Sequence, residues 1–388
     1  MSLSPVMVAP AGATAKPTES SGWKQVALPD LGSATLFSIT APDRDHAWVG
    51  GGVDANGNRN ASAAVRGDRA GLPRLRTRSP NDTAQCNTNE VFSSAVLRFN
   101  GVKWTRVTVP DVGGVGSIAS VSPDNVWAGG ECGSLHWDGR SWTATPYAPI
   151  PGLSSLTNVH FSSDGRADAW IVDTEFGDTV KNYAERWDGS AWRTVALPEL
   201  DDETILWSIS VVGPDDTWIS GADAGNQPFF LHWDGRSWRR EAAPQIDHQG
   251  AYLPSMHVLA PNDIWASGTG VDKGADGWDI FSPLIMHWDG HRWTNTPISA
   301  KQPNGVIYDV TADRGHLWAA GNTSSPGLPS YGMAVLNWTG SEWSADPTPI
   351  TGEGTVNALA SIAGGGLWGV GYAANTDGTL TPVMVRHE

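Results

Sequence analysis

The stretch Ile205–Trp238, ILWSISVVGPDDTWISGADAGNQPFFLHWDGRSW, decides the fold. It opens on an apolar segment, turns at Gly-Pro-Asp-Asp, and resumes with a Trp-bearing strand. After a loop comes FFLHW, and Asp234-Gly235 then turns the chain toward Trp238. Pro214 sets φ for the first turn, and the Asp residues after it suit a turn by bonding their own backbone. The segment therefore reads as four short antiparallel strands, A to D. Trp218 lies on B, Trp233 on C and Trp238 on D.

The unit recurs along the whole chain. Strand B returns as Trp48 in DHAWVGG, Trp127 in DNVWAGG, Trp170 in ADAWIVD, Trp265 in NDIWASG, Trp318 in GHLWAAG and Trp368 in GGLWGVG. The LHWDGRSW module of Leu231–Trp238 is repeated without change at Leu135–Trp142. A four-stranded unit of roughly 40 to 55 residues is the mark of a β-propeller. All tryptophans except Trp207 and Trp278 fall on a repeated B, C or D position, so they read as blade-packing residues. The C–D turn carries Gly101, Gly139, Gly189, Gly235, Gly290 or Gly340, as a hairpin needing positive φ requires.

The ends complement one another. The chain finishes with TPVMVRHE, a strand C lacking its D, and SGWKQVALP near the start is a strand D lacking its A, B and C. Together they make a seventh blade and leave no unpaired edge where the ring shuts. The expected architecture is all-β, a seven-bladed β-propeller of four-stranded antiparallel blades spanning 22–388. Residues 1–21, rich in Ala, Pro, Ser and Thr, read as a loosely attached tail.

A net charge of −16 and scarce lysine disfavour nucleic acid and anionic membrane surfaces as partners. No apolar run reaches the roughly 18 residues of a membrane span. The expectation is a monomeric secreted chain whose signal peptide has been removed, with a cytosolic protein as the alternative.

The A–B and C–D turns are short and uniform, whereas the D–A and B–C connections, on the opposite face, vary. The longest is the insertion at 53–91. Recognition on rigid scaffolds usually lives in such loops. Cys86 in that insertion and Cys132 in the B–C turn of blade 2 lie on neighbouring blades and read as a disulfide pair. The run Asp54–Asn60, DANGNRN, has the alternating oxygens of a calcium loop without its closing Glu, so calcium is an open alternative to no cofactor. Arg59, Arg66, Arg69, Arg74, Arg76 and Arg78 make the insertion locally basic.

His136, His232 and His287 share one repeat slot and read as structural. His248 and His257, with Asp247 and Tyr252, break the repeat in QIDHQGAYLPSMH. Aromatic platforms suit the C–H faces of sugars. The expected ligand contacts are therefore Trp278, Tyr252, Tyr331 and Phe176, with Asp247, His248 and Glu175 as polar partners. No catalytic residue is assigned. The enzyme alternative is a polysaccharide lyase or hydrolase using His248, His257 and Tyr252 as acid or base.

ILWSISVVGPDDTWISG followed by FFLHWDGRSW resembles the repeat of tectonin-type β-propeller lectins. That resemblance covers nearly the whole chain, rests on blade-building residues, and implies a non-catalytic propeller that binds sugar or a partner. The expected partner is a carbohydrate or cell-envelope component, or alternatively a protein held by a scaffold.

Overall fold

The computed structural model describes residues 22–53, 92–148, 160–163, 169–176, 180–275, 277, 279–302, 304–324, 332–350 and 352–388. These form seven four-stranded sheets, all of them antiparallel. The first strand, β1 (Trp23–Gln25), belongs to the last blade. Blade 1 is β2 (Ala34–Thr40), β3 (Ala47–Val53), β4 (Ser93–Phe99) and β5 (Trp104–Val107). Blade 2 is β6 (Val115–Ser122), β7 (Asn125–Gly130), β8 (Gly133–Trp137) and β9 (Trp142–Thr145). Blade 3 is β10 (His160–Ser163), β11 (Ala169–Phe176), β12 (Val180–Trp187) and β13 (Trp192–Val195). Blade 4 is β14 (Ile205–Gly213), β15 (Asp216–Ala222), β16 (Pro228–Trp233) and β17 (Trp238–Ala242). Blade 5 is β18 (Gly250–Ala260), β19 (Asp263–Lys273), β20 (Asp279–Trp288) and β21 (Trp293–Asn295). Blade 6 is β22 (Asn304–Asp313), β23 (His316–Ser324), β24 (Gly332–Trp338) and β25 (Trp343–Asp346). Blade 7 is β26 (Gly354–Ser361), β27 (Leu367–Ala374) and β28 (Leu380–His387), completed by β1. Trp23 faces His387 and Gln25 faces Val385 in that closing pair. Among the described residues no helix is long and apolar enough to cross a membrane.

The repeated tryptophans form the joints between blades. Each strand B Trp meets the C and D aromatics of the next blade. Trp48 meets Trp137 and Trp142, Trp127 meets Trp187 and Trp192, and Trp170 meets Trp233 and Trp238. Trp218 meets Trp288 and Trp293, and Trp265 meets Trp338 and Trp343. Trp318 then meets His387 and Trp23, and Trp368 meets Phe99 and Trp104, which returns the pattern to blade 1. Such pairs contribute about 0.5–1.5 kcal/mol each beyond their area burial.

Polar side chains staple the inner strands around the axis. Ile118 N–H donates to Ser38 Oγ at 3.1 Å, and Val211 N–H donates to Ser162 Oγ at 3.0 Å. Ser210 Oγ–H donates to Met256 O at 3.4 Å, and Asn357 Nδ2–H donates to Leu36 O at 2.8 Å. Asp309 joins three blades. Its Oδ1 accepts from Ser255 at 3.2 Å, and its Oδ2 accepts from the Leu359 amide at 2.8 Å. Trp207, outside the repeat in sequence, is the extra residue of a bulge in β14, between the paired Leu206 and Ser208. A bulge re-aims a side chain, and here Trp207 is buried edge-on to Tyr252.

Candidate functional site

On one face of the disc the described C–D turns are closed on themselves. Asp138, Asp188, Asp234 and Asp289 each accept two backbone N–H bonds within their own C–D turn. Asn100 does the same. Their glycines have φ between 83° and 95°, the left-handed conformation such a turn needs. These carboxylates are turn residues. The repeated histidines are equally committed. His136, His232 and His287 stack on Trp127, Trp218 and Trp265 with ring centroids 4.1–4.2 Å apart. Their Nε2 atoms lie 2.9 Å from Asn125, Asp216 and Asp263 respectively. In blades 1, 3 and 7 an Arg takes the histidine's place over the strand B Trp: Arg98, Arg186 and Arg386.

The opposite face, made by the D–A and B–C connections, carries a different kind of network at blades 4 and 5. Asp223, just past β15, accepts from the Gly225 and Gln227 amides and from Arg240 Nη2 at 3.0 Å. Gln227 Nε2–H donates to Gln249 O at 3.0 Å, which ties this loop to the next. Gln249 N–H donates to Asp272 Oδ1 at 3.0 Å, and His248 Nδ1 lies 2.7 Å from Asp272 Oδ2. His248 and the Gln249 amide hold the Asp272 carboxyl below its usual range. Lys273 pairs with Asp279 at 2.5 Å across the base of the β19–β20 loop. The His248 ring lies against Gly270, where any Cβ would run into it. Asp247 beside it is exposed. The result is a rigid polar platform whose imidazole orientation is set by a carboxylate.

A concavity on this face, about 310 Å³, lies at blade 3 between the start of β12 and the loop into β14. Val180, Tyr183, Leu197, Pro198 and Leu200 line it, with Lys181, Asn182 and Asp201. Asn182 is locked: its Oδ1 accepts from Thr174 at 2.7 Å and its Nδ2–H donates to Thr204 O at 2.8 Å. Glu175 and Phe176 lie at the end of β11, in register with Lys181 and Val180. The expected contacts at blade 3 therefore adjoin this cleft along the backbone.

Other expected site residues separate. Tyr252 is in β18, 5% exposed and packed on Trp207. It lies in the core rather than among the loop aromatics, because β18 begins at Gly250 and carries it inward. Burial pushes its phenol well above the usual tyrosine range. His257 is opposite Trp265, five residues along β19 from Gly270. At the usual strand rise that separates it from His248 by about 17 Å. Burial lowers the His257 imidazole to about 4. His248, Tyr252 and His257 thus do not meet in one pocket, as joint acid–base work would require.

Trp278, Tyr331, Cys86, the Asp54–Asn60 run and the basic insertion lie outside the described residues. Cys132 is in the β7–β8 turn, where its N–H donates to Val112 O at 3.0 Å, and no described cysteine is free. No group of three or more potential metal ligands occurs among the described residues.

Asp272 and Asp223 are the site residues that sequence reasoning missed. A signal was present, since Asp54 and Asp223 directly follow strand B and Asp272 is its penultimate residue in blade 5. The blade 4 copy, DAGNQ, shows what such a start does: its carboxylate serves backbone amides of its own loop.

No family model matches the chain, and no curated protein matches it. Solved structures match its fold. YCF48 bound to D1 peptide is 14% identical with a TM-score of 0.56, covering 95% of this chain and 96% of that one. YCF48 from Cyanidioschyzon merolae is 16% identical at the same TM-score, covering 95% and 99%. A mutant of Aleuria aurantia lectin in complex with Fucalpha1-6GlcNAc is 12% identical with a TM-score of 0.47, covering 83% and 99%.

Proposed function

We propose that this chain is a non-catalytic binding module that takes a carbohydrate or cell-envelope component on its D–A and B–C face. The observation carrying this reading is the platform at blades 4 and 5. It is held by loop-to-loop hydrogen bonds that the fold itself does not require, and it presents Asp247 and the His248 ring edge. Short, pre-oriented polar groups are what a ligand rich in hydroxyls needs, because little side-chain entropy is lost on binding. Trp278, adjacent to Asp279 in sequence, is the aromatic contact proposed to complete this site. The disulfide between Cys86 and Cys132, secretion and a monomeric state belong to the same reading. The disulfide is checked by intact mass with and without reductant.

The test is a glycan and cell-wall polysaccharide array, run with and without calcium, comparing the wild type with Trp278→Ala and with Asp247→Ala/His248→Ala. Binding to one sugar class that both variants weaken supports the reading; undiminished binding in both variants refutes it. Calcium dependence would assign the Asp54 loop as a metal site.

A protein partner is the second reading, favoured by the blade 3 cleft. Its apolar floor, with Lys181 and Asp201 at hand, suits a peptide side chain, and the structure of YCF48 bound to D1 peptide shows a propeller of related fold taking a peptide. A blank array with a specific partner retained on the wild type but lost on Leu200→Asp would favour it.

A further inference from the structure

The A–B face, which reads in sequence as standard parts, departs from its own pattern at one place. Other A–B turns carry Pro-Asp or similar side chains, but blade 7 turns through Ala363-Gly364-Gly365-Gly366, with φ of 91°, 106° and 105° at the three glycines. The missing side chains leave a cleft of about 470 Å³ between the A–B turns of blades 6, 7 and 1. Ala41, Asp313, Arg314, Ser361 and Gly364 are among its lining residues.

Two arginines from the flanking blades occupy the space that the glycines vacate. Arg314 Nη2–H donates to Gly364 O at 2.8 Å, and its guanidinium lies on Gly365 where a Cβ would stand. Arg44, from the blade 1 turn, places Nη2 2.7 Å from the Cβ position of Gly364. The two cations thus rest on adjacent residues of one turn. Arg314 has φ of 49°, and only Asn226 among the other described non-glycine residues is also left-handed. That conformation costs an ordinary side chain about 1–2 kcal/mol.

Among the described residues no acid of these turns pairs with either arginine. Asp313 Oδ2 accepts from Gly366 N–H at 3.0 Å. Asp43 accepts from the Asp45 and His46 amides and lies 2.8 Å from His46 Nδ1. Neither Arg44 nor Arg314 has an ion-pair partner among the described residues, in a chain of net charge −16. Each guanidinium offers five N–H donors in a planar fork, and Arg314 uses one on Gly364.

We infer that this cleft is an anion site, in which Arg44 and Arg314 together clamp the carboxylate of a singly charged ligand. Paired planar forks match a carboxylate bidentately. The charge of the whole chain repels a polyanion, so the fitting ligand brings one carboxylate on an otherwise neutral body. A peptide C-terminus and a single acidic sugar share that chemistry. The site is on the opposite face from the proposed loop platform and is independent of it.

Ligand-observed NMR at low salt tests this with N-acetylglycylglycine against its amide, and with glucuronic acid against glucose. The expected result is that at least one acid binds while its neutral counterpart does not. The Arg44→Gln/Arg314→Gln protein should bind that acid at least about tenfold more weakly, and added salt should weaken wild-type binding. Preference for the peptide acid identifies a polypeptide terminus as the source; preference for glucuronate identifies an acidic sugar. Equal binding of acid and neutral forms, no binding of either acid, or an unaltered affinity in the double variant would each overturn the inference. Should the double variant melt early, Arg314→Lys keeps the charge and loses the fork. It should bind several-fold more weakly, and unchanged affinity would overturn the inference equally.

Discussion

Trp23 packs edge-on against Trp318, with ring centroids 5.7 Å apart and planes at 81°. The first strand of the chain thereby fills the same joint against blade 6 that an ordinary strand D fills elsewhere. Trp23 also donates its indole N–H to Asp346 Oδ2 at 3.1 Å, a second tie across that seam. The ring is closed by packing as well as by the backbone pairing of Trp23 with His387.

Trp23→Ala should therefore lower stability by about 3–5 kcal/mol, the usual cost of removing a buried Trp. It should also make the Trp318 seam the first to open. Urea denaturation measures the loss, and hydrogen exchange should show β28 and β23 deprotected first. A loss below 1 kcal/mol, on the order of a surface change, would mean that backbone pairing alone closes the ring.

The Trp218–His232–Asp216 clasp predicts a selective cost. Asp216 Oδ1 accepts from Trp218 Nε1 at 2.9 Å and lies 2.9 Å from His232 Nε2. Asp216→Ala orphans the buried indole N–H and should cost about 1–3 kcal/mol. Thermal melting should give a similar loss for Asp263→Ala, which breaks the same arrangement around Trp265 and His287.

Asp309 imposes a pH dependence. Burial raises its carboxyl from 3.8 to about 7, against the three hydrogen bonds it accepts. The native state therefore holds this proton more tightly than the unfolded chain. The stability it contributes is complete below about pH 4 and is lost as pH rises toward 7. Glu185, raised by burial to about 7, acts in the same direction. His257, lowered to about 4, acts oppositely: its contribution is present above 6.5 and is lost as pH falls toward 4. Comparing Asp309→Asn with wild type isolates the first group. The variant should gain on the wild type as pH rises from 4 to 7 in denaturant titrations, and a pH-independent difference would contradict the assignment.

Gly270→Ala tests whether the platform is one unit. The new Cβ displaces the His248 ring and breaks its bond to Asp272. Ligand binding on that face should fall about as far as in His248→Ala, while the melting temperature changes little because the loops carry few core contacts. Full binding in Gly270→Ala would remove His248 from the site.

The blade pattern was legible because its causes are local. A turn residue such as Asp234 bonds its own backbone, and the closing glycine meets a φ requirement that no distant residue alters. The candidate site was legible only in part. His248 and Asp247 stood out by breaking the repeat, but Asp272 did not, since its partner is on another connection. Tyr252 looked like a loop aromatic beside Pro254, yet its strand begins early and buries it under Trp207. Blade 7's Gly364–Gly366 looked like an unremarkable turn until Arg44 and Arg314 were seen to occupy it.

By itself the sequence determined seven blades, the strand order within each, and a ring shut by the two chain ends. Each follows from short-range turn chemistry and from aromatic positions repeated often enough to be recognised. The tertiary structure alone decided which side chains meet across blades: Asp309 with Ser255 and Leu359, His248 with Asp272, Arg314 with Gly364. Those meetings depend on the bulges in the inner strands and on the paths of unequal loops. These set the rotation and height of one blade against the next, and no spacing along the chain encodes them.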